Sequence, residues 1–444
     1  MNDYTSDLIT KASKYIPGAS YYTLGLNYPG LPEFIIEKGQ GPYIYTTDGI
    51  KMLDVTLAHG SLILGHSNKI ISEAVQKQIS MGTALTNITK PAIELAEIMV
   101  NTIPCADKVR IVNSGTEASI LAVRLVRAVT GKEKILKFEG AYHGFADNLI
   151  FNTNYGKPSE WLPYPKASSD TLGVSAAQAE TVLIAPYNNL EITSRIIDEN
   201  IKDIAGIIVE PVMRGINSQT DFLQGLRTIC DKYKTPLIFD EVITGFRVSL
   251  GGAQEYFGIT PDIAIYGKSL GAGYPIGAIV GKDSLMRYLD PSSENGGHIF
   301  SIGSFHSNPL CSTAALYCIR ELQKNRSYEK LNSYGDGLRS GLSRIFKKYE
   351  LPHFMTGLGS IVEFFFTSEP VIDYKSSINS NLALKDLIGS KMAEFKVVGG
   401  GGRYTSSTMH GKRELDWMLE AVDISLDNAQ YTGALNSILE KSSK

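Results

Sequence analysis

The sequence predicts an α/β protein in which a large domain with a mostly parallel sheet covered by helices is joined to a smaller α+β domain. From about residue 107 to 280, short apolar β-branched runs alternate with longer segments of helical periodicity, which is typical of βα units. After about residue 310 the pattern changes to longer amphipathic helices. A chain of 444 residues, 43% of them hydrophobic, can bury one large core and a smaller one.

Short apolar runs are the predicted strands of the large domain. They are Val109–Val112, Ile135–Phe138, Gly206–Glu210, Pro236–Asp240, Ile263–Tyr266 and Ala278–Val280. Between them, Glu191–Lys202 and Phe222–Tyr233 carry apolar residues at helical spacing. We expect these helices to cover the sheet.

The predicted small domain contains helices over Leu310–Gln323 and Tyr328–Tyr349, followed by a strand over Ser360–Thr367. Near the N-terminus, Phe34–Val55 alternates apolar and polar residues around Thr47-Asp48-Gly49, which indicates a β-hairpin. We expect this hairpin to pack with the small domain. The predicted organisation is an N-terminal segment, a large domain and a small domain: residues 1–55, 56–309 and 310–444.

Composition and charge argue against several classes of partner and site. A net charge of −3 gives no electrostatic footprint for nucleic acid or an anionic membrane. Four cysteines without CxxC spacing argue against a disulfide framework and a zinc site, and no metal is predicted. Residues 1–16 mix charged with apolar residues, unlike a signal peptide. We expect a cytoplasmic enzyme that acts on small molecules.

The first chemical motif is Val112–Ala118, where a strand end runs into a helix. Ser114 and Glu117 have capping-box spacing, and the helical apolar stripe that follows ends at Gly131. The amides of Gly115 and Thr116, with two hydroxyls and the helix dipole, suit a phosphate group. By itself, the motif fits an ordinary capped helix equally well.

The second motif is an acidic pair, Asp240-Glu241, at the end of the apolar run Leu237–Phe239. A carboxylate at the carboxyl end of a parallel strand lies where open α/β sheets bind ligands. Asp240 could pair with a protonated pyridine nitrogen, a charge-assisted contact worth about 1.5–3 kcal/mol. Without the other motifs, a helix-capping or salt-bridged aspartate would be the simpler interpretation.

The third motif is Lys268, which follows the apolar run Ile263–Tyr266 and precedes several glycines. A lysine there can have its pKa lowered by partial burial and form a Schiff base with an aldehyde cofactor. A solvated surface lysine is the alternative. The glycines are spaced G-x-G-x-x-x-G after a lysine, which does not match a dinucleotide fingerprint, so a nicotinamide-dependent oxidoreductase is rejected.

The fourth motif is Phe138–Gly144, another strand end, which carries Tyr142 and His143. The ring of Tyr142 could lie flat on a cofactor ring, although an isolated tyrosine is more often a core or rim aromatic. We interpret His143 as a supporting or structural histidine rather than a general base.

These strand ends, in this order, resemble the class-III aminotransferases of pyridoxal-phosphate (PLP) fold type I, and most closely the glutamate-1-semialdehyde aminomutase branch. The matching stretches are Ile111–Gly144, Ile207–Val212, Phe239–Arg247 and Tyr266–Gly277. The resemblance implies PLP as the cofactor, with pyridoxamine phosphate as its second form. It also implies roles for individual residues: Lys268 as the Schiff-base lysine, Asp240 as the pyridinium partner, Val242 and Tyr142 on the two ring faces, Ser114, Gly115 and Thr116 on the phosphate, and His143 and Glu210 as supporting residues.

The segment Gly303–Pro309 resembles the family's GTFSGNP sequence, through which a hydroxyl reaches the phosphate of a neighbouring subunit. The resemblance therefore implies an obligate homodimer in which Ser304 reaches the neighbour's cofactor. Ser304 replaces threonine and keeps the hydroxyl, whereas His306 and Ser307 replace serine and glycine.

The substrate prediction depends on where the sequence departs from the aminomutases. Their Asn-Ser-Pro-Val-Arg run, whose arginine recognises the substrate carboxylate, is missing from Pro17–Leu24. We therefore expect an aminotransferase that moves an amino group from a donor such as L-glutamate to a ketone or aldehyde, for example a sugar or another secondary metabolite. Four residues are candidate substrate contacts: Tyr21, Tyr22, Arg214 and Arg403. For the two arginines, a solvated surface position is the alternative.

Two other functions stay open at this stage. One is an intramolecular 2,1-aminomutase, which needs no separate donor and releases no keto acid. The other is a catalytically silent protein of the PLP fold with a regulatory or structural role. The presence together of Lys268, Asp240 and Tyr142 argues against the silent protein, which has no need for all three.

Overall fold

The computed structural model describes residues 2–19, 34–153, 164–292, 297–324, 326–399 and 402–442. The chain divides into two compact units: unit 1 is Met1–Asn68, Glu329–Pro370 and Asn379–Lys444, and unit 2 is Lys69–Tyr328 and Val371–Ile378. These boundaries differ from the predicted ones at residues 55 and 309. The helix predicted over Leu310–Gln323 belongs to unit 2, where it packs against two helices that begin at Lys69 and Lys90.

Unit 1 is an α+β unit with two small sheets; elements are numbered along the chain. Its strands are β1 (Ile36–Gln40), β2 (Tyr43–Thr46), β3 (Lys51–Asp54), β13 (Phe354–Thr356), β14 (Ile361–Phe365), β15 (Val397–Val398) and β16 (Tyr404–Thr405). They pair in the orders β1-β2-β3-β15 and β13-β14-β16. Its helices are α1 (Asp3–Tyr15), α2 (Leu57–Gly60), α12 (Ser327–Lys348), α14 (Leu382–Glu394), α15 (Lys412–Tyr431) and α16 (Ala434–Ser442). The first two residues of α12 belong to unit 2, and unit 1 takes up the helix from Glu329. A 3-10 turn spans Pro17–Ala19.

The core of unit 1 contains a cluster of aromatic side chains from α12, β14 and the residue after β14. Phe346 packs against Phe364 and Phe366 with ring centroids 5.1 and 4.9 Å apart. Tilted and edge-on pairs of this kind add about 0.5–1.5 kcal/mol each to the burial of their apolar area. The predicted hairpin around Thr47-Asp48-Gly49 is present as β2 and β3.

The single turn α2 has a backbone that only glycine adopts easily. Leu57, Ala58 and His59 have φ of 50°, 51° and 57°, followed by Gly60 at 87°. Left-handed conformations cost about 1–2 kcal/mol for each non-glycine residue, so the surroundings must hold them. The carboxylate of Asp54 does this in part, because its Oδ1 accepts hydrogen bonds from the amides of Thr56 and Leu57 at 2.9 and 2.8 Å.

Unit 2 is built on one seven-stranded sheet. Its strands are β4 (Lys108–Val112), β5 (Lys134–Phe138), β6 (Val182–Ala185), β7 (Ile204–Val209), β10 (Leu237–Asp240), β11 (Ile263–Tyr266) and β12 (Gly277–Gly281), in the order β4-β12-β11-β10-β7-β5-β6. Strand β12 runs antiparallel to both neighbours, and the other pairs are parallel. This confirms the predicted, mostly parallel sheet. A separate hairpin consists of β8 (Val212–Met213) and β9 (Ile216–Asn217).

The helices of unit 2 follow the apolar periodicity of the sequence. They are α3 (Lys69–Ile79), α4 (Lys90–Thr102), α5 (Gly115–Thr130), α6 (Ala176–Ala179), α7 (Leu190–Asn200), α8 (Thr220–Tyr233), α9 (Gly252–Phe257), α10 (Asp283–Met286), α11 (Pro309–Leu322) and α13 (Tyr374–Ile378). Short 3-10 turns span Lys268–Gly271 and Arg287–Leu289. The stripe Ala118, Leu121, Ala122 and Leu125 of α5 is buried against strands of the sheet.

Candidate active site

The predicted chemical residues of unit 2 lie at one edge of its sheet. Strands β4, β5, β7, β10 and β11 all run in the same direction, so their carboxyl ends share that edge. Asp240 ends β10, Lys268 lies two residues beyond β11, and Glu210 follows β7. Ser114 follows β4, and the segment with Tyr142 follows β5. This edge is where ligands bind in open α/β sheets.

The start of α5 is in close contact with the segments after β10 and β11. A Cβ added to Gly115 would lie 2.9 Å from Cγ2 of Val242, and one added to Gly267 would lie 3.5 Å from the amide nitrogen of Gly115. A Cβ on Gly277 of β12 would collide with the carbonyl oxygen of Ser114. The structure therefore brings three of the predicted motifs together, and Gly115 and Gly277 leave no room for a side chain there.

The loop after β5 joins the same cluster. A Cβ added to Gly144, which has φ +92°, would lie 2.5 Å from Oγ1 of Thr116 at the start of α5. The amide of Tyr142 donates a hydrogen bond to Oε1 of Glu210 at 2.7 Å. The side chain of Tyr142 is 39% exposed, whereas Glu210 is buried. The loop is thus fixed at both ends of the Tyr142–Gly144 segment, with the tyrosine ring accessible.

His143 and Asp240 form a buried pair at the centre of the edge. His143 Nδ1 lies 2.7 Å from Asp240 Oδ2, and Asp240 Oδ1 accepts a hydrogen bond from the amide of Val242 at 3.0 Å. His143 is 1% exposed and Asp240 is 5% exposed. His143 Nε2 is buried and makes no hydrogen bond within the described part of the chain. Through this contact, the imidazole of His143 orients the carboxylate of Asp240.

Glu210 adds a second buried carboxyl group near this pair. Burial raises its pKa above the ordinary value, and the negative charge of Asp240 raises it further. His143, the amide of Tyr142 and the guanidinium of Arg214 act in the opposite direction. Glu210 therefore belongs to the electrostatic environment of Asp240 and also anchors the Tyr142 loop.

Lys268 has a strained backbone. It begins the 3-10 turn Lys268–Gly271 with φ +42°, and its side chain is half-buried. A non-glycine residue in this conformation costs of order 1–3 kcal/mol and is found most often at functional sites. The residue before it, Gly267, lies close to the start of α5, since a Cβ added there would be 3.5 Å from the amide nitrogen of Gly115.

A buried lysine in β5 was not predicted as a functional residue. Lys137 is 0% exposed, and its Nζ donates hydrogen bonds to the carbonyl oxygens of Ala141, Leu149 and Phe151. Its signal in the sequence is a lysine inside the apolar run Ile135–Phe138, because lysine is almost never fully buried without partners.

The segment that contains Ser304 is anchored to the start of α5 through His306. His306 Nε2 lies 3.2 Å from Glu117 Oε2, and Ser304 itself is exposed. Ser114 Oγ accepts a hydrogen bond from the amide of Glu117 at 3.2 Å, as predicted for a capping box. The carboxylate of Glu117 accepts from the amide of Asn113 at 2.8 Å rather than from that of Ser114.

Of the four predicted substrate contacts, the structure describes the two arginines. Tyr21 and Tyr22 lie outside the described residues. Arg214 is half-buried at the turn of the β8–β9 hairpin with φ +52°, in unit 2. Arg403 is half-buried and directly precedes β16, in unit 1.

Several general properties bear on the chemistry of the chain. Among the described residues, no group of three or more His, Cys, Asp or Glu side chains could hold a metal ion. The described helices include none long and apolar enough to cross a membrane. The four cysteines are buried, and burial raises the pKa of Cys105, Cys230 and Cys318 to about 12, which disfavours reactive thiolates.

Comparison with known proteins gives consistent matches over most of the chain. The family model for aminotransferase class-III matches residues 27–383. A glutamate-1-semialdehyde 2,1-aminomutase from Bacillus subtilis (strain 168) is 40% identical over 384 residues, which cover 84% of this chain and 85% of that enzyme. An omega-transaminase from Sphaerobacter thermophilus has a TM-score of 0.90 at 31% identity, covering 96% of this chain and 98% of that one. A glutamate-1-semialdehyde aminomutase from Pseudomonas aeruginosa PAO1 shares the fold, with a TM-score of 0.87 at 17% identity and coverage of 96% and 94%.

Proposed function

The chain belongs to the class-III aminotransferase family, whose members bind pyridoxal phosphate, and we propose that it is an amino-group-transferring enzyme of the 2,1-aminomutase type with Lys268 as its cofactor-binding lysine. One observation carries the proposal. Five separate strand ends of unit 2 converge at one sheet edge, where Gly115 at the start of α5 is packed closely against Val242 and His143 is hydrogen-bonded to Asp240.

The residues at this edge fit PLP. The absence of a Cβ at Gly115 and Gly144 lets Val242 and the loop after β5 approach the N-terminus of α5, where first-turn amides have no partner within the helix. Ser114, Gly115 and Thr116 would hold the phosphate. Asp240 would pair with the ring nitrogen, while Val242 and Tyr142 would cover the two ring faces. The half-exposed ring of Tyr142 and the buried carboxylate of Asp240 suit these roles.

The proposed mechanism assigns a task to each residue. PLP, when bound, supplies a reactive aldehyde and an electron-withdrawing ring. Lys268 Nζ would hold the cofactor, then release it and carry a proton to or from the substrate carbon. Asp240 would keep the proton on the ring nitrogen. His143, through its 2.7 Å contact with Oδ2, would fix the orientation of that carboxylate, and Glu210 would hold the Tyr142 loop.

The choice of a 2,1-aminomutase follows the comparisons. The sequence prediction preferred an intermolecular aminotransferase with a ketone or aldehyde acceptor, with the aminomutase as the alternative. The 40% identity to an enzyme named glutamate-1-semialdehyde 2,1-aminomutase, over 85% of its length, favours that alternative over a sugar aminotransferase. We propose that the substrate carries an amino group next to an aldehyde, as glutamate 1-semialdehyde does.

An aminotransferase is the second candidate, for two reasons. Pro17–Leu24 lacks the arginine run of the aminomutases. The solved structure that matches at 31% identity is named an omega-transaminase. In either reaction, a substrate carboxylate needs a cationic contact, and Arg214 or Arg403 is our candidate. Tyr21 and Tyr22 are proposed to line the same substrate site.

One experiment separates the two reactions. Purified protein is saturated with PLP, and glutamate 1-semialdehyde is added without any other amino compound or keto acid. An aminomutase converts it to the isomer whose amino group has moved from carbon 2 to carbon 1. In a parallel incubation, L-glutamate replaces glutamate 1-semialdehyde, and a transaminase bleaches the visible band of the bound cofactor and releases 2-oxoglutarate in equal amount.

Lys268→Ala tests the role of the lysine. We expect the variant to fold and to bind PLP without the visible band of the wild-type protein, and to lose turnover in both assays. Sustained turnover by this variant would refute the assignment of Lys268. A wild-type protein without a visible band after addition of PLP would refute the proposed function.

We also propose a homodimer in which Ser304 reaches the cofactor of the neighbouring subunit. The segment around Ser304 carries exposed apolar side chains, Phe300 at 65%, Ile302 at 77% and Phe305 at 61%, which supports an interface there. Light scattering should give twice the chain mass of 48.5 kDa. Ser304→Ala should keep that mass and weaken PLP binding; unchanged affinity would refute the role of Ser304.

A further inference from the structure

The side chain of Lys137 is buried, and its ammonium group is hydrogen-bonded to three carbonyl oxygens. Its Nζ lies 2.9 Å from the carbonyl oxygen of Ala141 and 3.1 Å from that of Leu149, and it also contacts the carbonyl oxygen of Phe151. An ammonium group has three N–H donors, and three acceptors converge on it. A neutral amine has two donors and would leave one of the three carbonyl oxygens without a hydrogen bond from Nζ.

The three acceptors lie at the two ends of one loop. Ala141 stands just before the Tyr142–Gly144 segment, whereas Leu149 and Phe151 stand after it. The amide of Gly140 also donates to the carbonyl oxygen of Asn152 at 2.7 Å. Lys137 therefore links the two ends of the loop of residues 141–151 through its ammonium group. Tyr142 and His143 belong to this loop.

Three charged groups act on Lys137. Burial is the main cause that lowers the pKa of Lys137 from 10.5 to about 7; the charge of Arg214 also lowers it, whereas those of Asp170 and Glu210 raise it. Asp170 is fixed beside the loop, because its Oδ2 accepts hydrogen bonds from the amide and the hydroxyl of Thr153 at 2.7 and 2.6 Å. Its Oδ1 is buried and makes no hydrogen bond among the described residues. Asp170 is thus a fixed negative charge that favours the ammonium form.

We propose that Lys137 is a positioning residue for the reaction, whose ammonium group clamps the two ends of the loop and so sets the place of Tyr142 over the cofactor ring and of His143 against Asp240. The inference rests on the proposed function, because it assumes that Tyr142 and Asp240 contact PLP. In this proposal, Lys137 acts through the loop and not by contact with the cofactor or the substrate. A lysine that merely stabilises the fold would make the same bonds, so the test must separate stability from placement.

Lys137→Met removes the three donors and keeps the length of the side chain. With PLP bound, we expect the visible absorbance to persist, the circular dichroism of the cofactor band to fall, and kcat to drop roughly 10- to 100-fold with a smaller change in KM, because small misplacements near the reacting atoms have effects of this size. The matched control is Lys385→Met, which removes a buried lysine of unit 1 that pairs with Glu363 at 2.7 Å. It should lower the unfolding temperature and leave the cofactor dichroism and kcat unchanged.

If Lys137→Met lowers the unfolding temperature but keeps the cofactor dichroism and the kcat of the wild-type protein, the inference is overturned. Lys137 would then only stabilise the fold. If Lys137→Met yields no folded protein, Asp170→Asn replaces it. Removing that negative charge disfavours the ammonium form, so the alkaline fall in kcat should move to lower pH; an unchanged pH profile would overturn the inference. A missing cofactor band in the wild-type protein would instead refute the proposed function itself.

Discussion

Gly115→Ala tests the close contact at the start of α5. The new Cβ would lie 2.9 Å from Cγ2 and 3.2 Å from Cγ1 of Val242, whereas carbon atoms pack best about 3.5–4.0 Å apart. Val242 and the first turn of α5 must therefore separate by roughly half an ångström, and we expect the helix to take part in this shift. The overpacking costs about 1–3 kcal/mol, and the better helix propensity of alanine offsets about 1 kcal/mol of it. The net effect on the free energy of unfolding is about 0–2 kcal/mol.

The effect on PLP binding should be clearer than the effect on stability. The amides of Gly115 and Thr116 are the proposed phosphate donors, and the shift moves them out of line with the phosphate. A loss of about 1.4 kcal/mol would weaken PLP binding tenfold. The assay is a titration of cofactor-free protein with PLP, followed by the visible band. Gly297→Ala is the matched control, because its Cβ would meet no atom within 4 Å.

A second substitution shows whether the contact with Val242 is the cause. Val242→Ala removes both methyl groups that the new Cβ would meet, but it also removes part of the proposed contact with the ring. Gly115→Ala should therefore weaken PLP binding less in the Val242→Ala variant than in the wild-type protein. Wild-type affinity in Gly115→Ala, or an equal loss in both backgrounds, would refute the reasoning that this contact sets the phosphate site.

Three further changes test other parts of the structure. Gly144→Ala forces a side chain into φ +92° and to within 2.5 Å of Thr116 Oγ1, so unfolding measurements should give a loss of about 1–3 kcal/mol together with weaker PLP binding. Lys385→Met leaves Glu363 buried without its cation, which should cost about 3–5 kcal/mol in denaturant titration, and adding Glu363→Gln should recover most of it. For Asp262, burial raises the pKa, but hydrogen bonds and two cationic partners outweigh it and lower the pKa below 3.8, so the stabilisation exists above that pH and disappears as the pH falls through the folded-state pKa. The difference in unfolding free energy between wild type and Asp262→Asn should accordingly shrink below pH 3.8, and a difference independent of pH would contradict this.

Local signals made several elements predictable. Strand β11 has the predicted bounds, Ile263–Tyr266, because a short β-branched run between turn residues has few other ways to bury itself. Helix α5 begins after Ser114 and ends at Gly131, which has φ 67°, because a hydroxyl cap and a left-handed glycine act on their immediate neighbours. The positions of Asp240 and Lys268 at strand ends follow from the same runs.

Other features could not be predicted from the sequence, because they depend on residues that are distant along the chain. The apolar run at β12 gives no direction, and this strand is antiparallel within the sheet. The amphipathic face of α11 is visible in the sequence, but the surface that covers it, α3 and α4, is not. Assignment of that helix to the C-terminal domain placed the boundary at residue 310, whereas unit 2 extends to Tyr328.

The sequence by itself determined the parallel α/β sheet, the strand-end motifs and, through their resemblance to a family, the cofactor. Only the tertiary structure decided how those motifs meet, because contacts such as that of His143 with Asp240, 97 residues apart, depend on strand order and not on local periodicity. The same holds for Lys137, whose neighbours in the sequence give its burial but not the three carbonyl oxygens that satisfy it. A buried charge is tolerated where the fold supplies its partners, and that supply is a property of the whole chain.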